Sequence, residues 1–147
     1  MKKSILLFSF ICLSIHAQNL SWTVPSSWED TKVSSSMRLT TLAVKANKDL
    51  KISVSRFPGN VGGEVANVNR WRRQIGLAAV AANKLVLEEI ETKAGKAKLL
   101  DISNNGQQML AGMIAFKGST YFFKMTGKAD DVKKQKKAMI ELLKSLK

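Results

Sequence analysis

An α+β domain, mainly an antiparallel β-sheet of about six strands flanked by helices, is predicted by three features of the 147-residue sequence. Segments that alternate apolar and polar residues with period two follow one another through much of the chain, separated by turns rich in Gly and Asn. The run 109–116 is apolar at consecutive positions, so it forms a strand covered on both faces, with helices or straps above and below. Two other segments, one ending at Gly76 and one over 130–146, carry the helical repeat instead.

The chain opens with Lys2 and Lys3, an apolar run over 5–15, and the exit His16-Ala17-Gln18. That layout is a secretory signal peptide cleaved after Ala17, since the run falls short of the roughly 20 residues a bilayer span needs. The expected organisation is a signal peptide over 1–17, an N-terminal strap over 18–37 and a single domain over 38–147. Cleavage removes Cys12 and His16, the only cysteine and the only histidine. A mature chain without thiol or imidazole has no Ser–His triad, no Cys–His pair, no zinc site built on those ligands and no disulfide. No cofactor and no metal are expected. Catalysis would fall to carboxylates such as Glu88, Glu89, Glu91 and Asp101, as in a carboxylate-based hydrolase. Adjacent Glu88 and Glu89, however, point to opposite faces of a strand.

Loss of Lys2 and Lys3 lowers the formal net charge from +13 to +11, with 22 basic against 11 acidic residues remaining. Such an excess suits acidic partners. Export and the lack of any nucleic-acid-binding signature leave an acidic protein or envelope component, or else an anionic membrane surface, as the expected partner; no nucleic acid is expected.

In chain order, Trp22, Pro25 and Trp28 mark a strap anchored by its two indoles. From Arg38 the pattern becomes a hairpin. Leu42, Val44 and Ala46 face one way, Ile52 and Val54 answer them after a turn at Asn47-Lys48-Asp49, and Ser53 and Ser55 lie on the opposite face. Strands at 85–92, 96–103, 108–117 and 121–126 follow as an antiparallel meander. Lys124 interrupts its own apolar strand, which places it either in a site or at the rim of the sheet, the rim being the expectation. The closing helix over 130–146 has Asp130 and Asp131 in its first turn and lysines towards its end, both complementing the helix dipole.

The most unusual stretch is 56–77, RFPGNVGGEVANVNRWRRQIGL. Pro58, Gly59, Gly62 and Gly63 end the hairpin in a turn that admits backbone angles closed to other residues. In the helix that follows, Val65, Val68, Ile75 and the stem of Arg72 form the core stripe, while Asn67, Arg70, Trp71 and Gln74 gather on the adjacent side. Asn is a poor helix former, so Asn67 and Asn69 imply caps or side-chain hydrogen bonds. As a recognition surface this face offers amide and guanidinium donors, an aromatic plate, and backbone N–H groups at the helix start that suit an anion. The alternative is that Asn67, Arg70 and Gln74 tie down loops while Trp71 fills the edge of the core. The glycines match neither the Walker loop nor the dinucleotide fingerprint. The candidate partner-binding residues are therefore Asn60, Asn67, Arg70, Trp71, Arg73 and Gln74.

The order of elements, from a Trp-x-x-Pro-x-x-Trp strap through hairpin, glycine turn, helix and meander to a closing helix, resembles the PsbP-like α/β/α sandwich. Met37-Arg38, Phe57-Pro58-Gly59, Gly62-Gly63, Asn67-Val68-Asn69-Arg70-Trp71-Arg72 and Gln74 resemble a set of small exported bacterial proteins of unassigned activity that carry an NVNRW-type motif. The resemblance implies a non-catalytic accessory protein that stabilises or assembles a larger complex on the exported side of a membrane, here periplasmic or secreted. Peripheral binding to anionic surfaces through basic charge is the alternative, with the hydrolase third.

Overall fold

The computed structural model describes residues 19–147. The expected signal peptide, with its cleavage point after Ala17 and with Cys12 and His16 inside it, lies outside the described residues. Seven strands form one antiparallel sheet: β1 (Trp28–Asp30), β2 (Arg38–Val44), β3 (Asn47–Pro58), β4 (Glu88–Thr92), β5 (Gly95–Asn104), β6 (Gln107–Phe116) and β7 (Ser119–Lys128). Their order across the sheet is β1-β2-β3-β7-β6-β5-β4. The strand beyond the expected six is β1, where the strap adds Trp28–Asp30 to the edge of β2.

Both faces of this sheet are covered near its centre. On one, α1 (Glu64–Gln74) lays Val68 and Trp71 over Met109, Ala111 and Phe122. On the other, α2 (Ala129–Lys133) and α3 (Lys136–Lys144) pack Val132, Met139, Leu142 and Leu143 against Ile52, Leu110 and Phe123. Strand β6 is buried on both sides as its sequence requires. A Cβ on Gly112 would stand 2.6 Å from a Leu143 methyl, so the missing side chain lets α3 sit directly on the sheet.

Local differences from the sequence expectation have identifiable causes. The first hairpin turns at Lys45-Ala46, because the register that sets Leu42 against Ile52 places an irregularity between Ala43 and Val44 and pairs Val44 with Asn47. The closing helix is split, since Gln135 N–H bonds back to Val132 O at 2.9 Å in a tighter turn. The side chain of Gln135 accepts the Trp28 indole N–H at 2.9 Å across that break.

The strap closes the second layer. Trp28 is buried, and the Trp22 ring stands edge-on to Phe123 with centroids 5.5 Å apart. Ser21 and Lys147 exchange both backbone hydrogen bonds, at 2.9 and 3.1 Å, and Thr23 N–H donates to the Ser145 hydroxyl at 2.8 Å. The beginning and end of the described chain thus pair with each other.

Candidate functional site

Helix α1 begins without a side-chain cap at Gly63, whose φ of 84° only glycine adopts readily. Asn67 compensates from inside the helix. Its amide donates to Gly63 O at 2.7 Å and to Val61 O at 3.3 Å, which closes the glycine turn onto the helix. Its carbonyl oxygen accepts a hydrogen bond from the Arg70 guanidinium. Asn69 grips the backbone of Val80 on both sides, through N–H and C=O at 2.8 and 2.9 Å, and Arg72 donates to Ala78 O at 2.7 Å. These bonds hold Ala78 to Val80 against α1, and Leu77, Leu85 and Leu87 pack on the same cluster as Val68 and Trp71. The helix ends with Leu77 N–H on Arg72 O and Gly76 N–H on Arg73 O, with Gly76 at φ 77°, a pair of bonds that requires a left-handed residue.

With α1 fixed over β6 and β7, the same face of β2 and β3 lies beside it. Two cross-strand rows cross that face: Arg38–Ser55–Phe122 and Thr41–Ser53–Lys124. Together with Arg70, Trp71 and Gln74 along the edge of α1, all of these but Thr41 border a groove of about 200 Å³ that also takes in Phe57. Thr41, next to Ser53, carries a buried hydroxyl without a hydrogen-bond partner among the described residues. Trp71 is 5% exposed and meets Phe122 edge to face at 5.1 Å, so it is a wall of the groove and part of the core.

Lys124 stands on β7, the central strand, and not at the sheet's rim as the sequence suggested. Its ammonium donates to Gln74 Oε1 at 2.9 Å. Burial pushes its pKa below the usual lysine range, and the nearby Arg38 and Arg70 guanidiniums push it further down. Among the described residues no carboxylate pairs with Arg38, Arg70 or Lys124. Three cations therefore share one groove with no internal counter-charge.

Of the six residues singled out from sequence, Arg70, Trp71 and Gln74 meet in this groove. Asn60 and Asn67 instead border a second cavity of about 350 Å³ on the far side of α1, beside the Glu64–Lys98 ion pair. Arg73 is exposed and borders neither. The helix start, which the sequence offered to an anion, already carries the carboxylate of Glu64. Arg38, Ser53, Ser55 and Lys124 are the additions. The serines had a signal in the sequence, since they alternate with Ile52 and Val54 and so share one face.

The carboxylates considered for hydrolysis lie elsewhere. Lys136 bridges Asp101 at 2.9 Å and Glu88 at 3.7 Å, while Lys96 bridges Glu89 at 2.8 Å and Glu91 at 3.6 Å. Each acid is at least partly exposed and lysine-paired, unlike the facing carboxyl pair of a glycosidase.

Among solved structures, the solution structure of cyanobacterial PsbP (CyanoP) from Synechocystis sp. PCC 6803 matches over 92% of this chain and 96% of its own, with a TM-score of 0.54. The fold is PsbP-like. Sequence identity over that match is 14%, so the likeness carries architecture and not a shared site. The PsbP-like sandwich expected from the order of elements is the observed one. No family model and no curated protein matches the sequence.

Proposed function

We propose that this chain is an exported, non-catalytic accessory protein of the cell envelope that holds a partner through the groove and outer face of α1. The supporting observation is the meeting of Arg38, Arg70 and Lys124 beside Trp71 with no carboxylate among them. Unneutralised cations on a packed surface favour an acidic partner. In this reading Arg70 and Arg73 engage acidic groups, Asn67 and Gln74 hold Arg70 and Lys124 in place, Trp71 contributes apolar contact, and Asn60 borders the surface from the glycine turn. The partner is an acidic protein or another envelope component. An accessory role is what the PsbP-like resemblance implies, and the reading groups the chain with exported bacterial proteins carrying the NVNRW-type motif.

Crosslinking of the protein in its native envelope tests the contact. One specific partner is expected with the native sequence, and an Arg70→Ala plus Gln74→Ala variant that is exported and folded should lose it. An unchanged partner list would remove α1 from the contact surface. Intact-mass analysis tests export: the expected species begins at Gln18, and a full-length cytoplasmic species overturns it.

A further inference from the structure

We propose that the groove between α1 and the β2–β3 face is a binding site for a dianionic phosphoryl group, either inorganic phosphate or a phosphate monoester. The inference rests on the contact surface proposed above and names the chemistry that surface takes. Its basis is the match between donors and acceptors. Arg38, Arg70 and Lys124 bring three positive groups from three different elements, β2, α1 and β7, to one cavity. Ser53 and Ser55 add two hydroxyls from β3, that of Ser53 donating to Lys124 O at 3.4 Å and free to accept as well.

The occupant must relieve the repulsion among the three cations and present several acceptors at once. A carboxylate brings one charge on two oxygens in a plane and would leave cationic donors unmet. A phosphoryl group brings a charge of about −1.5 to −2 near neutral pH on three terminal oxygens, enough to meet a guanidinium, a second guanidinium and an ammonium together. The cavity, at about 200 Å³, lies below the roughly 300–1,000 Å³ usual for drug-sized ligands, so it suits a compact head group and not a large molecule. Phe57, Trp71 and Phe122 border it on the apolar side, where the group's stem or the partner's surface would rest. Asn67, which holds the Arg70 guanidinium from behind, is a positioning residue for the site.

Calorimetric titration of the mature protein with inorganic phosphate, with glycerol 3-phosphate and with acetate tests this at neutral pH and low salt. Phosphate or its monoester is expected to bind at least about tenfold more tightly than acetate, with affinity falling as salt rises. Tighter binding of the free ion or of the ester tells which source the site serves, and either upholds the proposal. Arg38→Gln, Arg70→Gln and Lys124→Met should each weaken binding by about tenfold or more, while Lys144→Gln, on the far layer, should not. Folding of each variant is read from its thermal transition, and amide shifts at Ser53 and Ser55 on phosphate addition locate the site independently. Equal binding of acetate, no binding of phosphate, or binding that survives Arg70→Gln and Lys124→Met overturns the assignment. If phosphate fails while the Arg70→Ala plus Gln74→Ala variant still loses its crosslinked partner, the contact surface stands and only the phosphoryl chemistry falls.

Discussion

Lys124 Nζ donates to Gln74 Oε1 at 2.9 Å, joining the central strand to the last turn of α1. The bond holds a half-buried ammonium at the bottom of a groove that already contains two guanidiniums. An arrangement of this kind is unfavourable for the empty protein and useful to an anion.

Lys124→Met should therefore leave stability unchanged or raise it, while weakening phosphate binding. The sign follows from the shift. A lysine whose pKa is lower in the folded protein binds its proton more tightly once unfolded, so stability rises with pH from that lowered value to the unfolded one near 10.4. Urea midpoints between pH 7 and 10 should climb more for the native sequence than for Lys124→Met. Arg38→Gln and Arg70→Gln should each raise the Lys124 pKa, as read by NMR at its side-chain nitrogen.

Asn67→Ala removes two hydrogen bonds to the glycine turn and the acceptor behind Arg70. Destabilisation by about 1–3 kcal/mol is expected from urea denaturation, because the buried Asn67 amide closes the turn: its loss leaves the Val61 carbonyl without this donor and Gly63 O with only the Asn67 backbone N–H at 3.2 Å. Asn67→Asp keeps the acceptor for Arg70 but not the donor, and so should recover anion affinity better than stability.

Gly76→Ala forces a Cβ onto a residue at φ 77°, 3.2 Å from the Asn104 amide that bonds Ile75 O at 2.8 Å. The expected cost is about 1–2 kcal/mol in thermal unfolding. Anion affinity should change little, since the groove lies along the other edge of the helix.

Asp30 contributes to the acid limb. Burial pushes its carboxyl up, but hydrogen bonds from Lys32 and Thr40 outweigh burial and hold it below the usual aspartate range. A carboxyl lowered in the folded state stabilises above its unfolded value near 3.9, and that contribution vanishes as pH falls through the lower folded value. Asp30→Asn should lower the urea midpoint at pH 6 and flatten its decline towards pH 3.

The layered architecture was legible because Met109 to Phe116 has no polar face and two amphipathic segments flank it. Strand β1 was not, since three residues are too few for an alternation to register and its pairing with β2 is long-range information. The split of the closing helix was also hidden. Its apolar stripe continues through the break, and only contact with Trp28 gives Gln135 its role. A third of the groove's lining could be read from α1, where Arg70, Trp71 and Gln74 share one helical side. Arg38, Ser53, Ser55 and Lys124 come from three strands, and although the interruption at Lys124 allowed a site, nothing local announces that α1 will lie beside all of them. For Asn67 the sequence allowed either a contact residue or a tie to a neighbouring loop, and its amide nitrogen is taken up by the turn it closes.

The two-way backbone pairing of Ser21 with Lys147 makes the ends of the domain one mechanical unit. Leu146 is fully buried next to that junction, and Trp22 leans on Phe123 beneath it. Loss of residues 145–147 would therefore undo the anchorage of the amino-terminal strap some 120 residues away, so changes at Ser21 to Thr23 and at Ser145 to Lys147 act on the same joint.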